Sequence, residues 1–244
     1  MAKKSSTRIA FISGASRGIG RAIANKFASM GFHLIVVSRT IKDLAQLKKS
    51  VENKFGIRCS IYCADLSRND ELCNVLNEIG KEHARIDVLV NNAGSFIPGK
   101  VSTQSADELD QLLRINLYAA WNITQWAIPM LLRGDKPLVL NVGSIAGLQS
   151  YPNGGAYSVS KYALIGFSKN LRIELQPKDI RVSTINPGAT YTDSWKGMNL
   201  PKERFISVDD IAELCALCYS VSNNAVVEDI IVRPLRGDIR AEEF

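Results

Sequence analysis

The chain has 244 residues, 46% of them hydrophobic and 22% charged, with a formal net charge of +6 from 30 basic and 24 acidic side chains. That fits one globular domain at the large end of the usual range, or two small ones, and excludes a disordered chain or one that needs disulfide staples. The basic excess is mild and unclustered, which argues against a nucleic-acid partner and for attraction to an anionic small molecule.

The N-terminal run MAKKSSTRIAFI has basic residues, but its apolar stretch is too short for a signal-peptide core. From there β-branched runs alternate with helical patterns. Strands are expected at Arg8–Ile12, His33–Val37, Arg58–Cys63, Asp87–Val90, Pro137–Val142, Arg181–Asn186 and Asp229–Val232. Helices are expected between them at Arg17–Met30, Ile41–Phe55, Arg68–His83, Ser105–Leu132, Gly155–Leu175 and Val208–Val221. The strands are apolar throughout, as when both faces of a parallel sheet are covered. The expected fold is α/β: a single-domain, doubly wound parallel sheet of Rossmann type with helices on both faces, spanning 1–244. Gly188–Ile206 is the one long segment without a pattern, and it is expected to serve as a substrate lid.

No run approaches the ~18–20 apolar residues of a membrane span, so no membrane is expected as partner. His33 and His83 are expected to be structural or surface residues, and Cys215-x2-Cys218 to be buried thiols; no metal site is expected. Five cysteines at irregular spacing read as reduced thiols in a cytoplasmic setting.

The first strand runs into Ser13-Gly14-Ala15-Ser16-Arg17-Gly18-Ile19-Gly20, and a helix follows. Glycines at a strand-to-helix turn let the backbone approach a pyrophosphate, and the helix N-terminus offers N–H groups and a positive dipole end. The second strand ends at Ser38-Arg39 with no carboxylate to accept bonds from an NAD ribose. Arg17 and Arg39 suit a phosphate instead, which points to NADP(H).

These features, followed by Asp65-Leu66, Asn91-Asn92-Ala93-Gly94, Asn116, Ser144, Tyr157-x3-Lys161 and Pro187-Gly188-x3-Thr192, appear in one order over nearly the whole chain. In that order the chain resembles the short-chain dehydrogenase/reductase family. The resemblance implies a catalytic set of Asn116, Ser144, Tyr157 and Lys161. It implies a cofactor site built from Gly14, Ser16, Arg17, Gly18, Ile19, Gly20, Ser38 and Arg39, with Asp65 and Leu66 at the adenine. Asn91, Ala93 and Gly94 would line the channel, Tyr157 and Lys161 would meet the ribose, and Pro187, Gly188 and Thr192 would fix the nicotinamide end. A homo-oligomer, dimer or tetramer, is implied in the same way.

The chemistry stands beside the name. Tyr157 and Lys161 are four apart on one predicted helix and share a face. A free Tyr holds its proton to pH ~10; a nearby ammonium and an oxidised nicotinamide favour phenolate and make Tyr157 a usable acid and base. Ser144, at the end of the fifth strand, is placed to hydrogen-bond a substrate carbonyl oxygen. The expected activity is NADPH-dependent reduction of a small-molecule ketone or aldehyde to an alcohol, or the reverse. One alternative is a 3-oxoacyl carrier-protein reductase with Arg133 and Arg172 docking the carrier. Family members that reduce 3-oxoacyl thioesters commonly end with a Gly pair, which is missing after Val232. The other alternative is a non-enzymatic NADP(H)-binding regulator. Trp195, Met198, Leu200 and Phe205 in the lid point to an apolar portion of the substrate.

Overall fold

The computed structural model describes residues 7–192 and 200–239. In chain order its elements are β1 (Ile9–Ser13), α1 (Gly18–Ser29), β2 (His33–Ser38), α2 (Ile41–Phe55), β3 (Cys59–Cys63), α3 (Asn69–Glu82) and β4 (Val88–Asn91). Then come α4 (Ala106–Leu113), α5 (Ala119–Leu131), β5 (Leu138–Val142), α6 (Gly155–Leu175), β6 (Arg181–Pro187), α7 (Val208–Ser220) and β7 (Asp229–Val232). The strands form one sheet in the order β3-β2-β1-β4-β5-β6-β7, and every pairing is parallel. This is the doubly wound, Rossmann-type arrangement that the alternation predicts.

Side chains alternate across the sheet, so each strand feeds two cores. Ala10 and Ile12 of β1 pack with α1, α2 and α7, while Phe11 packs with α3, α5 and α6. The expectation of full burial holds for the central strands and fails at the edges. β7 is half exposed along its length, with Ile231 56% exposed, because it is the edge strand and among the described residues no further strand pairs with its outer side. Among the described residues no helix is long and apolar enough to cross a membrane.

The largest departure concerns the predicted helix Ser105–Leu132. It starts as expected, with a capping box in which Ser105 and Glu108 satisfy each other's backbone N–H groups. It is then interrupted by a π-helical turn at Arg114–Tyr118. That turn carries Asn116, fully buried and hydrogen-bonded to other elements. Periodicity of 3.6 cannot announce one extra residue in a turn, but π turns concentrate at functional sites.

Part of the basic excess is structural. Arg8, Lys136 and Arg181 stand 5.9, 5.2 and 5.8 Å from the Tyr219 ring. They donate to the carbonyls of Met30, Val221 and Cys218, at the C-terminal ends of α1 and α7. Cations there offset the negative helix ends and gain from the aromatic face.

Candidate active site

The order of strands reverses between β1 and β4, the place where such sheets bind ligands. Two loops meet there. Gly14 leaves β1 with φ +69° and donates to Val37 O at 2.8 Å. Ser13 Oγ accepts from the N–H groups of Asn92 and Ala93, each at 3.0 Å, and Asn92 Nδ2 donates back to the carbonyls of Ser13 and Gly14. The resemblance implies a channel-lining place for Asn92, within Asn91–Gly94, and none for Ser13; here the two lock the site's loops together.

Gly20 shows why the turn demands glycine. A Cβ there would fall 2.3 Å from Gly14 O, so only glycine lets α1 fold back onto the turn. Gly18 has φ +53°, and a Cβ on it would press on the Thr192 methyl at 3.3 Å. Thr192, from the far end of the chain, therefore lies against the glycine turn. Ile19 packs partly into the core, while Arg17 is exposed and Ser16 half-buried at the open side. The residue before α1, Arg17, makes no side-chain cap, and the first turn holds no acid. Its N–H groups and positive end thus suit an anion.

At the end of β2, Ser38 is buried and accepts from Thr40 N, and Arg39 is exposed. Arg39 also neighbours Asp65. Burial would raise the Asp65 carboxyl, but two hydrogen bonds from Ser67 and the charges of Arg39 and Arg68 hold it below its ordinary value. Leu66 is buried in the core on the α3 side. Asn91 is also in the core: its amide donates to Thr124 Oγ1 and Asn141 Oδ1, so its side chain does not line the channel that its motif suggested. Nearby, Ala93 is half-buried and Gly94 exposed.

Ser144 follows β5, and its Oγ accepts from Ala146 N at 3.1 Å. It also hydrogen-bonds the phenol of Tyr157. Lys161, one turn further along α6, is buried; its Nζ donates to Val142 O at 3.0 Å and lies 5.9 Å from the Tyr157 ring. A Cβ on Gly94 would stand 3.0 Å from Asn116 Oδ1 and 3.8 Å from Lys161 Nζ, so glycine leaves the space beside both open. The structure therefore brings Ser144, Tyr157, Lys161 and Asn116 to one place. Pro187 ends β6, and Gly188 beside it donates to Val232 O at 2.8 Å.

The protein alone does not lower the Tyr157 phenol. In the protein alone, burial raises the Tyr157 phenol, and the Ser144 hydrogen bond opposes that only in part. Burial also pushes the Lys161 ammonium down to about 8. Desolvation is the largest influence on both groups.

Further residues were not assigned from sequence. Phe96 stacks edge-on against Tyr157 with centroids 4.8 Å apart, and Tyr151 lies close enough for Tyr157 to raise its phenol further. Neither belongs to a motif, so only proximity reveals them. In the lid segment, Tyr191 and Phe205 pack on each other at 5.6 Å, while Trp195 and Met198 lie outside the described residues.

The comparisons agree with this geometry. The family model for short chain dehydrogenase matches residues 8–203. The NADP-dependent 3-hydroxy acid dehydrogenase of Schizosaccharomyces pombe is 31% identical over 235 residues, covering 91% of each chain. The sepiapterin reductase of Chlorobaculum tepidum is 29% identical over 240 residues, 95% of this chain and 98% of that one. Among solved structures, an alcohol dehydrogenase from Thermococcus sibiricus complexed with 5-hydroxy-NADP superposes with a TM-score of 0.87 at 26% identity, over 96% of this chain and 100% of its own. With its sheet order, glycine turn and Ser-Tyr-Lys grouping, the chain belongs to the short-chain dehydrogenase family of oxidoreductases.

Proposed function

We propose that the protein interconverts a ketone or aldehyde and its alcohol with NADP(H). The observation that carries this reading is the meeting of Ser144, Tyr157 and Lys161 beside Gly94, in the loop after β4 whose Asn92 binds the glycine turn. The residues present fit the cofactor. The uncapped start of α1 with Gly14, Ser16, Arg17, Gly18, Ile19 and Gly20 would hold the pyrophosphate, and Ser38 and Arg39 the 2′-phosphate. Asp65 and Leu66 would flank the adenine, and the main chain of Asn91, Ala93 and Gly94 the channel. Tyr157 and Lys161 would bind the ribose, and Pro187, Gly188 and Thr192 the nicotinamide end.

When bound, the cofactor supplies or accepts hydride. The chain does the rest. In reduction Ser144 holds the carbonyl oxygen and Tyr157 gives that oxygen its phenolic proton. Lys161 then returns a proton to the phenolate and is reprotonated from solvent through a water that Asn116 would hold. The segment expected to serve as a lid, 188–206, lies partly outside the described residues.

The test is NADPH consumption against a panel of ketones and aldehydes. Turnover of at least one substrate is expected; tight NADPH binding with no turnover would favour the regulator alternative. Carrier docking through Arg172 loses its footing, because that side chain is bound to Val182 O, Glu228 and Asp229 and is only 13% exposed. A homo-oligomer is supported by exposed Trp121, Val159 and Tyr162 on α5 and α6, and sedimentation velocity tests it. A cytoplasmic location is supported by five free cysteines.

A further inference from the structure

We propose that Arg233 and Gln149 form a carboxylate seat at the mouth of the catalytic centre. The substrate would then be a carbonyl compound that also bears a carboxylate, and Asp238 of the same chain fills the seat until substrate displaces it. The proposal rests on the reductase reading above and names its substrate class.

The seat is built by the chain that follows β7. A Cβ on Gly188 would lie 3.1 Å from Pro234 Cδ and 3.5 Å from Ile145 Cδ1. Pro234, Val232 and Ile145, the residue after Ser144, therefore all pack on the Pro187-Gly188 corner. From there Arg233 Nη2 donates to Gln149 Oε1 at 3.0 Å. Gln149 lies on the loop between Ser144 and Tyr157, two residues before Tyr151, which itself feels the Tyr157 phenol. The guanidinium is thus held at the rim of the catalytic group by Gln149, which lies on the loop that Ser144 begins.

A turn then returns the chain, with Gly237 N donating to Pro234 O at 2.9 Å, and it brings Asp238 onto Arg233. Asp238 Oδ2 accepts from Arg233 Nη1. The other oxygen, Oδ1, is buried without a partner. A carboxylate so held shows what the seat accepts, and also that this occupant fits it badly. A buried oxygen with no donor carries an uncompensated desolvation penalty, whereas a guanidinium fork is shaped to take both oxygens of a carboxylate. A second guanidinium, Arg204, reaches the turn that carries Asp238, so cationic groups approach the seat from two segments. Arg204 Nη1 also donates to Gly237 O at 3.2 Å, which ties the returning turn to the segment before α7.

The experiment compares a 3-oxo acid with its methyl ester in initial-rate assays, for the wild type and for Arg233→Met and Asp238→Asn. In parallel, calorimetry measures binding of the matching saturated carboxylic acid, which needs no turnover. Asp238→Asn is expected to lower KM for the oxo acid several-fold and to tighten the saturated acid, with the ester unchanged. Arg233→Met is expected to raise KM for the oxo acid and weaken the saturated acid by roughly ten- to a hundredfold, again sparing the ester. Equal effects on acid and ester, or no change in acid binding in either variant, overturns the seat. Acid binding that follows these expectations without turnover of acid or ester would leave the seat standing and overturn the reductase reading alone. Both positions are at the surface, and if Arg233→Met fails to fold, Asp238→Asn carries the test.

Discussion

Asn116 and Ser160, 44 positions apart, share a buried hydrogen bond in which Asn116 Nδ2 donates to Ser160 Oγ at 2.9 Å. Ser160 in turn donates to the Tyr157 carbonyl at 2.7 Å, one turn back on α6. On its other side Asn116 exchanges bonds with Ser95, accepting from its N–H at 2.8 Å and donating to its carbonyl at 3.0 Å. One hydroxyl thus ties the π turn to the helix that carries Tyr157 and Lys161.

Ser160→Ala deletes that tie and leaves Asn116 held by Ser95 alone. A loss of about 1 kcal/mol in stability is expected from one buried hydrogen bond. If Ser160 also positions Asn116, kcat falls while NADPH affinity stays, and Ser160→Thr restores part of the rate. Denaturant titration and initial rates measure the two effects.

Tyr157→Phe keeps the ring that Phe96 packs against and removes the proton donor. Carbonyl reduction is expected to fall to background, with NADPH binding by fluorescence titration largely kept. Full activity in this variant would remove Tyr157 from the mechanism.

Arg39→Asp replaces a cation beside Asp65 with a second carboxylate. A 2′-phosphate would lose a charge-assisted partner and meet repulsion, so the preference for NADPH over NADH is expected to drop by about tenfold or more. The ratio of kcat/KM for the two cofactors reads this directly.

Gly20→Ala forces a methyl to within 2.3 Å of Gly14 O, a backbone atom that cannot swing away. Destabilisation of about 1–3 kcal/mol is expected, with loss of cofactor binding as the turn opens. Thermal unfolding with and without NADPH tests both, since the stabilisation by NADPH should vanish with the site.

Lys161 gives a pH signature in the cofactor-free protein. Its ammonium pKa is about 8 in the fold, against 10.5 ordinarily. Below about pH 8 both states hold the proton, and the fold bears the full penalty of a buried charge. Between about 8 and 10.5 the unfolded chain binds more protons, so this group's contribution to stability rises with pH. Lys161→Met is expected to lack that rise and to gain stability relative to the wild type at neutral pH. Denaturant midpoints measured across that range for both proteins give the difference curve.

The alternation of short apolar strands with amphipathic helices was enough to determine the sheet, its parallel sense and each element to within a residue at most ends, because burial on two faces leaves a periodic imprint on the chain. The motif order likewise marks Ser144, Tyr157, Lys161 and Asn116, which the fold brings to one place. What the sequence could not carry was direction and environment. Nothing local says that the Asn91 amide points into the core or that a π turn interrupts the long helix to seat Asn116. Nor does the i,i+4 spacing of Tyr157 and Lys161 say that burial, not their mutual charge, governs both pKa values. The pairing of Arg233 with Gln149 and Asp238 joins residues 84 positions apart and five apart, and only the packing of the chain end on Gly188 brings them together. Periodicity records which face is buried; contacts between distant segments depend on how those faces stack, and that is decided in three dimensions.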